Sequence, residues 1–417
     1  MPRERAVPWR LAALMALLFA VSVVGYADRQ ILALLKPVLD QTLGWRSGDY
    51  SAMTTAFQAC VAVTLVVAGW FVDKVGVRWG FATGLGGWSA AAMLHAACRS
   101  VDQFILARGA LGGFEAIGGP AGIKAVAVLF PPASHGTMMG VLNMAPNIAA
   151  MSTPLLASAL YPALGWQGTI ALIGGSGFLC LALWLALPLR SMHREAARLR
   201  PPFDAAAPAL LLRDRDAWAV ALAKLLSDQG WWFFLFWLPD LFHRRYGLDM
   251  RHLGPPIAAI YAMAAAGALL GGLATDRLAG LRPRQGRMRA RRTVMGIAAL
   301  LVLPIVLVPQ TASLWLAVGL TGLGLAAHQA FSTNVFAFAA DRFAPERVGR
   351  AIAFGALCGN LGGTATLWIA GRLVTDAHSF RWMFLGCALG YPLAWIAMQL
   401  LAPPGRDASV SPAPLAS

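Results

Sequence analysis

The fifteen residues Arg108–Gly122, RGALGGFEAIGGPAG, place an arginine and a glutamate inside a glycine-rich and otherwise apolar run. Seven residues turn an α-helix by about 700°, so the side chains of Arg108 and Glu115 project from one helix face, roughly 10 Å apart along the axis. If this helix crosses a bilayer, each charge costs at least ~2.5–3.5 kcal/mol at the midplane unless it meets a partner or a wet cavity. The stretch therefore predicts a membrane helix that lines a central pathway.

The composition of the whole chain also indicates a membrane protein. Of its 417 residues, 58% are hydrophobic and 13% are charged, and the mean hydropathy is +0.62. Runs of about 20 apolar residues, each long enough to span a hydrocarbon layer of about 30 Å, recur along almost the whole length. Twelve such runs are present, and the first continues through Asp28 and Arg29 as an uncleaved helix. We predict an all-α integral membrane protein with twelve transmembrane helices.

The basic residues are concentrated on one side of the membrane. The formal net charge is +15, but 22 of the 34 lysines and arginines lie on one side when successive spans alternate, against seven on the other side. Cytoplasmic loops of membrane proteins carry such an excess. The distribution predicts that both termini are cytoplasmic, in a multi-pass protein of the cell inner membrane. It also indicates that the basicity reflects topology, so we predict no binding to nucleic acid.

The middle of the chain breaks the apolar pattern. Residues 190–216 are rich in arginine, alanine and proline and are predicted to be a cytoplasmic linker between a six-helix half at 1–189 and a second half at 217–402. Residues 403–417 are predicted to be a disordered tail. Five cations fall within or at the ends of apolar runs and are the most informative: Arg29, Lys36, Arg108, Lys124 and Lys224. Of these, Lys224 is close enough to Asp228 at i, i+4 for the two charges to neutralise each other.

A short motif follows the second predicted helix, where the chain reads GWFVDKVGVRWG. It matches the loop motif Gly-x-x-x-Asp-(Arg/Lys)-x-Gly-x-Arg of the major facilitator superfamily, which the chain resembles here, at Gly69, Asp73, Lys74, Gly76 and Arg78. The first part of the motif returns 203 residues later, at Gly272, Asp276 and Arg277. Duplication of a six-helix half explains this repeat. The glycines allow a tight turn, and an aspartate can cap a helix or pair with a cation, so we predict a gating role.

Residues on the first and fourth predicted helices resemble the anion:cation symporter group of this superfamily: Asp28-Arg29, and Arg108 with Glu115. Within that group the chain is most similar to hexuronate (glucuronate/galacturonate) transporters, through RGALGGFEAIGGPAGIKA, NIAAMSTP, WWFFLFWLP and Ala327-His328-Gln329. The resemblance implies the major facilitator fold, with two six-helix halves around a central cavity. It also implies proton-coupled uptake (symport) of a sugar-acid anion by alternating access. Carried over, the two arginines bind the substrate carboxylate, and Asp28 and Glu115 accept protons.

The chemistry of these side chains supports the same roles. A guanidinium stays charged and presents a planar fork to a carboxylate, which a lysine does not copy. We hypothesise that the substrate carboxylate competes with Glu115 for Arg108, which couples the anion to the proton. The alternative for Arg108 and Glu115 is a structural ion pair that locks the fourth helix to a neighbour. Gly118 and Gly119 stand where bulkier residues are expected, and they bear on the shape of the pocket.

Six further side chains on the spans are candidates for substrate contact: Tyr26, Gln58, Trp232, His328, Gln329 and Asn360. A structural role stays open for each kind. A helical histidine such as His328 can satisfy a backbone carbonyl. Tryptophans 231, 232 and 237 can form an interfacial aromatic belt rather than a platform for sugar rings.

Other functions fit the sequence less well. The alternatives are a transporter of another organic anion, such as an aldonate, aldarate or small carboxylate, and an anion antiporter. A phosphate-ester antiporter would need cations on the first and seventh predicted helices, and the seventh offers only Lys224, beside Asp228. A membrane sensor would need a signalling domain, and no stretch of useful size is left for one. The spans hold no nucleophile and base pair and no metal-ligand spacing. We therefore predict no enzymatic activity, no cofactor and no metal, in a monomer whose partners are a small organic anion, protons and the lipid bilayer.

Overall fold

The computed structural model describes residues 8–130, 135–186, 212–281, 286–343, 345–376 and 379–403. These residues contain no strand and form eleven α-helices: α1 (Pro8–Leu43), α2 (Ser47–Val75), α3 (Val77–Leu94), α4 (Val101–Leu129), α5 (His135–Ala186), α6 (Arg215–Tyr246), α7 (Gly254–Leu281), α8 (Gly286–Val302), α9 (Leu314–Arg342), α10 (Pro345–Leu373) and α11 (Phe380–Leu401). Two 3-10 helices extend α3 and α8, at His95–Ala97 and Leu303–Gln310. Eight of the described helical segments are long and apolar enough to cross a membrane by length and composition alone.

The fifth and sixth predicted helices are two helical segments within α5, joined by a kink at Gly165. Along the 52 residues of α5, Gly165 has non-helical backbone angles, φ 64° and ψ −176°. Glycine has no Cβ and adopts a positive φ at little cost, so the chain changes direction there between the two segments. The predicted helices 7 to 12 correspond to α6–α11. Helix α6 begins at Arg215, within the last residues of the predicted linker, whereas linker residues 190–211 and tail residues 404–417 lie outside the described part of the chain.

The two halves of the chain repeat one packing scheme. We call α1–α5 the N-terminal half and α6–α11 the C-terminal half. In the first, α2 packs on α4 and α1 on α5; in the second, α7 packs on α9 and α6 on α10. Between the halves, α2 packs on α10 and α5 on α7. When the spans are matched in order, these two inter-half contacts are equivalent to each other. This reciprocity is what a twofold relation between duplicated halves produces.

The loop motif forms the tight connection between α2 and α3. Gly76 has φ 87° and ψ 159°, and its N–H donates to the carbonyl of Val72 at 3.0 Å. Arg78 donates to the carbonyl of Leu185 at 2.7 Å and accepts a 2.9 Å bond at its own carbonyl from Trp184 Nε1, so the motif binds α3 to the end of α5. Among the other predicted members of the motif, Lys74 lies over the Trp70 ring at 5.1 Å, and a Cβ on Gly69 would meet nothing within 4 Å. In the second copy of the motif, Asp276 and Arg277 are exposed. The side chain of Asp73 is not among the described side chains.

The halves meet most closely at one end of the bundle. We call it the α1–α2 end because it holds the turn between these two helices. Here Tyr50 donates to the carbonyl of Phe236 at 2.8 Å, and Ser51 donates to the carbonyl of Leu367 at 2.7 Å. On the equivalent helix pair, α5 and α7, Ser158 donates to the carbonyl of Met250 just before α7, at 2.8 Å. The described conformation is therefore closed at the α1–α2 end.

Candidate substrate and proton site

The central feature of the site is an ion pair between the first and fourth helices. Arg29 of α1 donates through Nε to Oε1 of Glu115 of α4, and their side chains are 12% and 5% exposed. Three aromatic rings surround the guanidinium, with centroids 4.5 Å away at Tyr26, 5.5 Å at Phe57 and 5.4 Å at Trp232. Guanidinium groups interact favourably with such ring faces. Because Trp232 belongs to the C-terminal half, the pair lies where the two halves face each other.

Arg108 occupies a different position from the one the sequence suggests. Its guanidinium is almost completely buried and donates to the backbone carbonyls of Asp28 at 3.1 Å and Arg29 at 2.9 Å. Glu115 therefore pairs with Arg29 and not with Arg108, because the turn of α1 at these residues presents carbonyl oxygens to α4. In this conformation the competition expected for Arg108 would take place at Arg29. Arg108 fixes the backbone from which Arg29 projects.

The two predicted proton acceptors point into different environments. Consecutive helical residues project about 100° apart, so Asp28 cannot share the direction of Arg29. Asp28 instead lines a small cavity inside the N-terminal half, together with His95 and Arg108. It is 2% exposed, and neither of its carboxylate oxygens has a hydrogen-bond partner within the described part of the chain. The structure thus brings Glu115 to the interface between the halves and keeps Asp28 behind it.

Two polar bridges cross between the halves. The amide of Gln58 on α2 donates to Asn360 Oδ1 on α10. On the equivalent pair of helices, Gln329 of α9 donates to Asn147 Oδ1 of α5 at 2.7 Å. Three of the predicted substrate contacts, Gln58, Gln329 and Asn360, therefore lie at the interface, with amide groups that can exchange their mutual hydrogen bonds for bonds to a polar ligand.

His328 lies in a separate cluster within the C-terminal half. Its Nδ1 is 2.8 Å from the hydroxyl of Tyr391, and its ring stacks on Trp231 with centroids 5.4 Å apart. Because the Tyr391 hydroxyl donates to the carbonyl of Ser227 at 3.0 Å, its oxygen accepts from His328 Nδ1–H. His328 therefore donates its Nδ1–H hydrogen bond to a tyrosine hydroxyl and not to a backbone carbonyl. None of its described contacts is with Arg29.

The tryptophans of α6 are interior residues. Trp231 and Trp232 are each 7% exposed and Trp237 is fully buried, so they do not form an interfacial belt. Trp237 packs edge-on against Tyr50 of the other half at 5.4 Å. Of the three, Trp232 is the one beside Arg29, where a flat ring face can meet a substrate.

The unexpected glycines of α4 shape the wall behind Glu115. A Cβ on Gly118 would lie 2.5 Å from the ring of Trp88, whereas one on Gly119 would meet nothing within 4 Å. A Cβ on Gly25 of α1 would lie 3.4 Å from Glu115 Oε1. Gly118 therefore makes room for the Trp88 ring, whereas a Cβ on Gly25 would be in ordinary contact with the carboxylate. The departure at Gly118 is explained by this close contact, and Gly119 is not.

Several polar contacts that join the helices were not predicted as a group. Lys36 of α1 contacts Asp240 of α6 at 2.9 Å, and Lys224 contacts Asp228 at 2.8 Å and Ser332 at 3.0 Å. The pairing of Lys224 with Asp228 was predicted, and the structure confirms it. Lys36 and Asp240 each stand out in the sequence as a charged residue inside an apolar run. Because they are far apart in the chain, the sequence does not show that they contact each other. His95 carries no such signal in the sequence.

The fold and these contacts define a class of protein: a bundle of membrane-length helices in two related halves, with buried ion pairs where the halves meet. The chain belongs to the Major Facilitator Superfamily, whose family model matches residues 18–327 and 286–417. This family and fold are those of transporters and not of enzymes, and the chain is a multi-pass membrane protein.

Named relatives and a solved structure are similar over much of the chain. The hexuronate transporter of Escherichia coli (strain K12) is 25% identical, and the alignment covers 96% of each chain. The galacturonate transporter of Dickeya chrysanthemi is 27% identical over 60% of this chain and 77% of its own. The crystal structure of a bacterial homologue of the human lysosomal transporter Spinster, in an inward-facing and occupied conformation, has a TM-score of 0.77 and 15% identity, and covers 95% of this chain and 97% of its own.

Proposed function

We propose that the protein is a secondary active transporter that takes up a sugar-acid anion, a hexuronate such as glucuronate or galacturonate, together with protons. The observation that carries this proposal is the Arg29–Glu115 ion pair, buried between the halves and surrounded by aromatic rings. A guanidinium supplies the fork for a carboxylate, and ring faces suit the apolar faces of a sugar. The named relatives, which transport hexuronate and galacturonate, support the substrate class.

The ion pair also supplies a coupling mechanism. A buried guanidinium that loses its anionic partner costs several kcal/mol, so Arg29 keeps one carboxylate beside it at each stage. A proton on Glu115 removes its negative charge and releases the guanidinium, and the substrate carboxylate then takes the vacated place. When the proton leaves, Glu115 recovers Arg29 and displaces the substrate. Anion and proton thus enter the site together and leave it together.

The remaining candidate side chains bind the sugar. Trp232 and Tyr26 offer ring faces next to the carboxylate position, and the amides of Gln58, Asn360 and Gln329 offer donors and acceptors to hydroxyl groups. Each amide now bonds across the two halves, so a ligand that replaces those bonds also changes how the halves are joined. In this proposal Arg108 acts through the backbone of Asp28 and Arg29, and His328 acts as a more distant wall of the site.

The distribution of charge supports one orientation of the protein in the membrane. The excess of basic residues in the loops at the α2–α3 end favours a cytoplasmic location for that end and both termini, with the α1–α2 end outside. The described conformation is then closed to the outside, and alternating access opens the α1–α2 end by rocking the halves about the fixed site. We place the protein in the bacterial inner membrane as a monomer.

The test is uptake of radiolabelled glucuronate and galacturonate into proteoliposomes with an imposed inward proton gradient. The wild type should accumulate at least one of them, and Arg29→Ala should not. Arg251→Ala, in the exposed turn before α7, removes an arginine without touching the site and should behave as wild type. Uptake that ignores the gradient would contradict symport. Gradient-driven uptake of aldonates or aldarates alone would move the substrate assignment within the organic anions, and strict anion exchange would favour an antiporter.

A further inference from the structure

A small cavity lies inside the N-terminal half, behind the Arg29–Glu115 pair. Its volume is about 10 Å³, and it is bounded by α1, the junction of α3 with its 3-10 extension, α4 and α5. Most of its wall is apolar, with side chains such as Ile31, Leu111 and Ile170. Three polar residues also line it, namely Asp28, His95 and Arg108. Buried polar groups in proteins nearly always have hydrogen-bond partners.

Each of these three residues has a buried polar atom without a partner in the described part of the chain. The atoms are both carboxylate oxygens of Asp28, Nε2 of His95 and Nε of Arg108. The residues are 2%, 3% and 1% exposed. A buried polar group that lacks a hydrogen bond costs about 1–3 kcal/mol, and an ionised one costs more. Three residues in this condition around one cavity point to a ligand that serves them all.

The tautomer of His95 follows from its other nitrogen. Nδ1 lies 2.7 Å from the backbone carbonyl of Ala91, and a carbonyl only accepts, so Nδ1 carries the hydrogen. Nε2 is then a bare acceptor in the neutral ring. The cavity thus presents one donor, Arg108 Nε–H, and two acceptor groups, Asp28 and His95. A water molecule accepts one hydrogen bond from the first and donates one to each of the others, and a volume of about 10–15 Å³ is enough to hold it.

We propose that one water joins Asp28, His95 and Arg108 in this cavity, and that His95 is a further proton-handling residue of the transporter. When Asp28 is protonated, its hydroxyl group donates to the water instead of accepting from it; that proton then passes to the water while the water gives a proton to Nε2 of His95. The products are a carboxylate and an imidazolium with hydrogen on both nitrogens, so charge and atoms balance. The transport part of this inference rests on the proposed function, since it takes Asp28 to be a proton carrier.

The residues around the cavity favour proton exchange among Asp28, the water and His95. Among the described contacts, the charged groups that line the cavity with His95 are Asp28 from α1 and Arg108 from α4, whereas α5 contributes the apolar residue Ile170. Toward the α1–α2 end, the His95 ring meets Phe104 at 5.8 Å, and Phe104 packs against Trp45 at 4.7 Å and Trp166 at 6.3 Å. These rings separate the cavity from that end. Arg108 donates hydrogen bonds to the backbone carbonyls of both Asp28 and Arg29. A change of charge on the Asp28 side chain therefore acts, through Arg108, on the backbone that carries Arg29.

The first test is the dependence of proton-driven uptake on outside pH in His95→Gln. Glutamine keeps a polar side chain of similar size but binds no proton at neutral pH. We expect the midpoint of the profile to shift by about one pH unit, a tenfold change in proton affinity. The matched control is His252→Gln, which removes an exposed histidine 2.6 Å from Asp249 and should leave the profile unchanged. A wild-type midpoint in His95→Gln would overturn the proposal.

The second test does not depend on transport. In ¹⁵N-histidine-labelled protein in nanodiscs, the His95 signal is the one of seven histidine signals that is lost in His95→Gln, or in His95→Asn if the first variant does not fold. We expect the Nδ1–H tautomer, and a changed Nε2 shift in Asp28→Asn. An Nε2–H tautomer, or a signal that is the same with and without the Asp28 carboxylate, would overturn the inference. If the wild type takes up no sugar acid, the proposed function fails and this measurement still decides the role of His95.

Discussion

Lys36 of α1 and Asp240 of α6 form an ion pair of 2.9 Å, Nζ to Oδ1, in which the side chains are 0% and 1% exposed. Lys36 also contacts Asp40 at 2.5 Å, and Arg244 contacts Asp240 at 2.9 Å. We call these four residues the α1–α6 clamp. Two cations and two anions neutralise one another, which offsets the cost of burying the central pair. The clamp joins the two halves at the α1–α2 end, so it stabilises the described closed conformation.

Asp240→Asn should weaken that closure. The substitution leaves Lys36 buried beside Asp40 alone, and breaking a buried pair from one side costs about 3–5 kcal/mol, all of it in the closed state. We expect the population to shift toward a conformation open at the α1–α2 end and the transport cycle to slow. Spin labels at positions 99 and 251, one in each half at this end, should report a longer distance. Arg245→Gln serves as control, since it removes an arginine whose described hydrogen bond, to the carbonyl of Gln310, lies within the C-terminal half. An unchanged distance distribution in Asp240→Asn would show that the clamp does not hold the closed state.

Glu115→Gln should separate substrate binding from proton coupling. Glutamine resembles the protonated acid in size and charge, so Arg29 stays available to the substrate while no proton is carried. We expect loss of accumulation driven by a proton gradient and retention of exchange between labelled and unlabelled substrate. Both are measured in proteoliposomes, with Asp102→Asn, an exposed acid in the first turn of the same helix, as the control. Intact gradient-driven accumulation in Glu115→Gln would exclude this residue as the coupling site.

The two arginines should respond differently to replacement by lysine. Arg29→Lys removes the fork that binds a carboxylate at two points, so we expect KM to rise by about 10- to 100-fold, the equivalent of ~1.5–3 kcal/mol. Arg108→Lys removes donors to two backbone carbonyls, so we expect a lower melting temperature. KM from initial uptake rates and Tm in detergent measure the two effects. Equal changes of KM and Tm in both variants would contradict the assignment of separate roles.

The adjacent glycines of α4 provide a matched pair. Gly118→Ala places a Cβ 2.5 Å from the Trp88 ring, and such overpacking costs about 1–3 kcal/mol. Gly119→Ala meets no atom within 4 Å and gains helix propensity of up to about 1 kcal/mol. We expect a lower Tm for the first variant and an equal or higher Tm for the second. Loss of stability in Gly119→Ala, with none in Gly118→Ala, would contradict the close packing of Gly118 against Trp88.

Much of the architecture could be predicted because membrane helices depend on local information. A segment in a bilayer satisfies its own backbone hydrogen bonds, so the length of an apolar run predicts a span without reference to its neighbours. The region around Gly165 illustrates this. The predicted gap between the fifth and sixth helices includes Gly165, and this residue has the non-helical backbone angles that separate the two helical segments of α5. The motif at Gly76 was likewise readable, because its positive φ needs a glycine.

The sequence by itself determined that charges such as Arg29, Arg108 and Glu115 lie within membrane helices and need partners, since an isolated charge there is too costly. Only the tertiary structure decided which partners they have. Glu115 meets Arg29, Arg108 meets two carbonyls of α1, and Asp28 turns to the cavity of His95. The reason is the rotation of each helix about its axis, where one residue changes the direction by about 100°, and the packing of helices far apart in the chain. Neither is recorded in the spacing of residues along one helix.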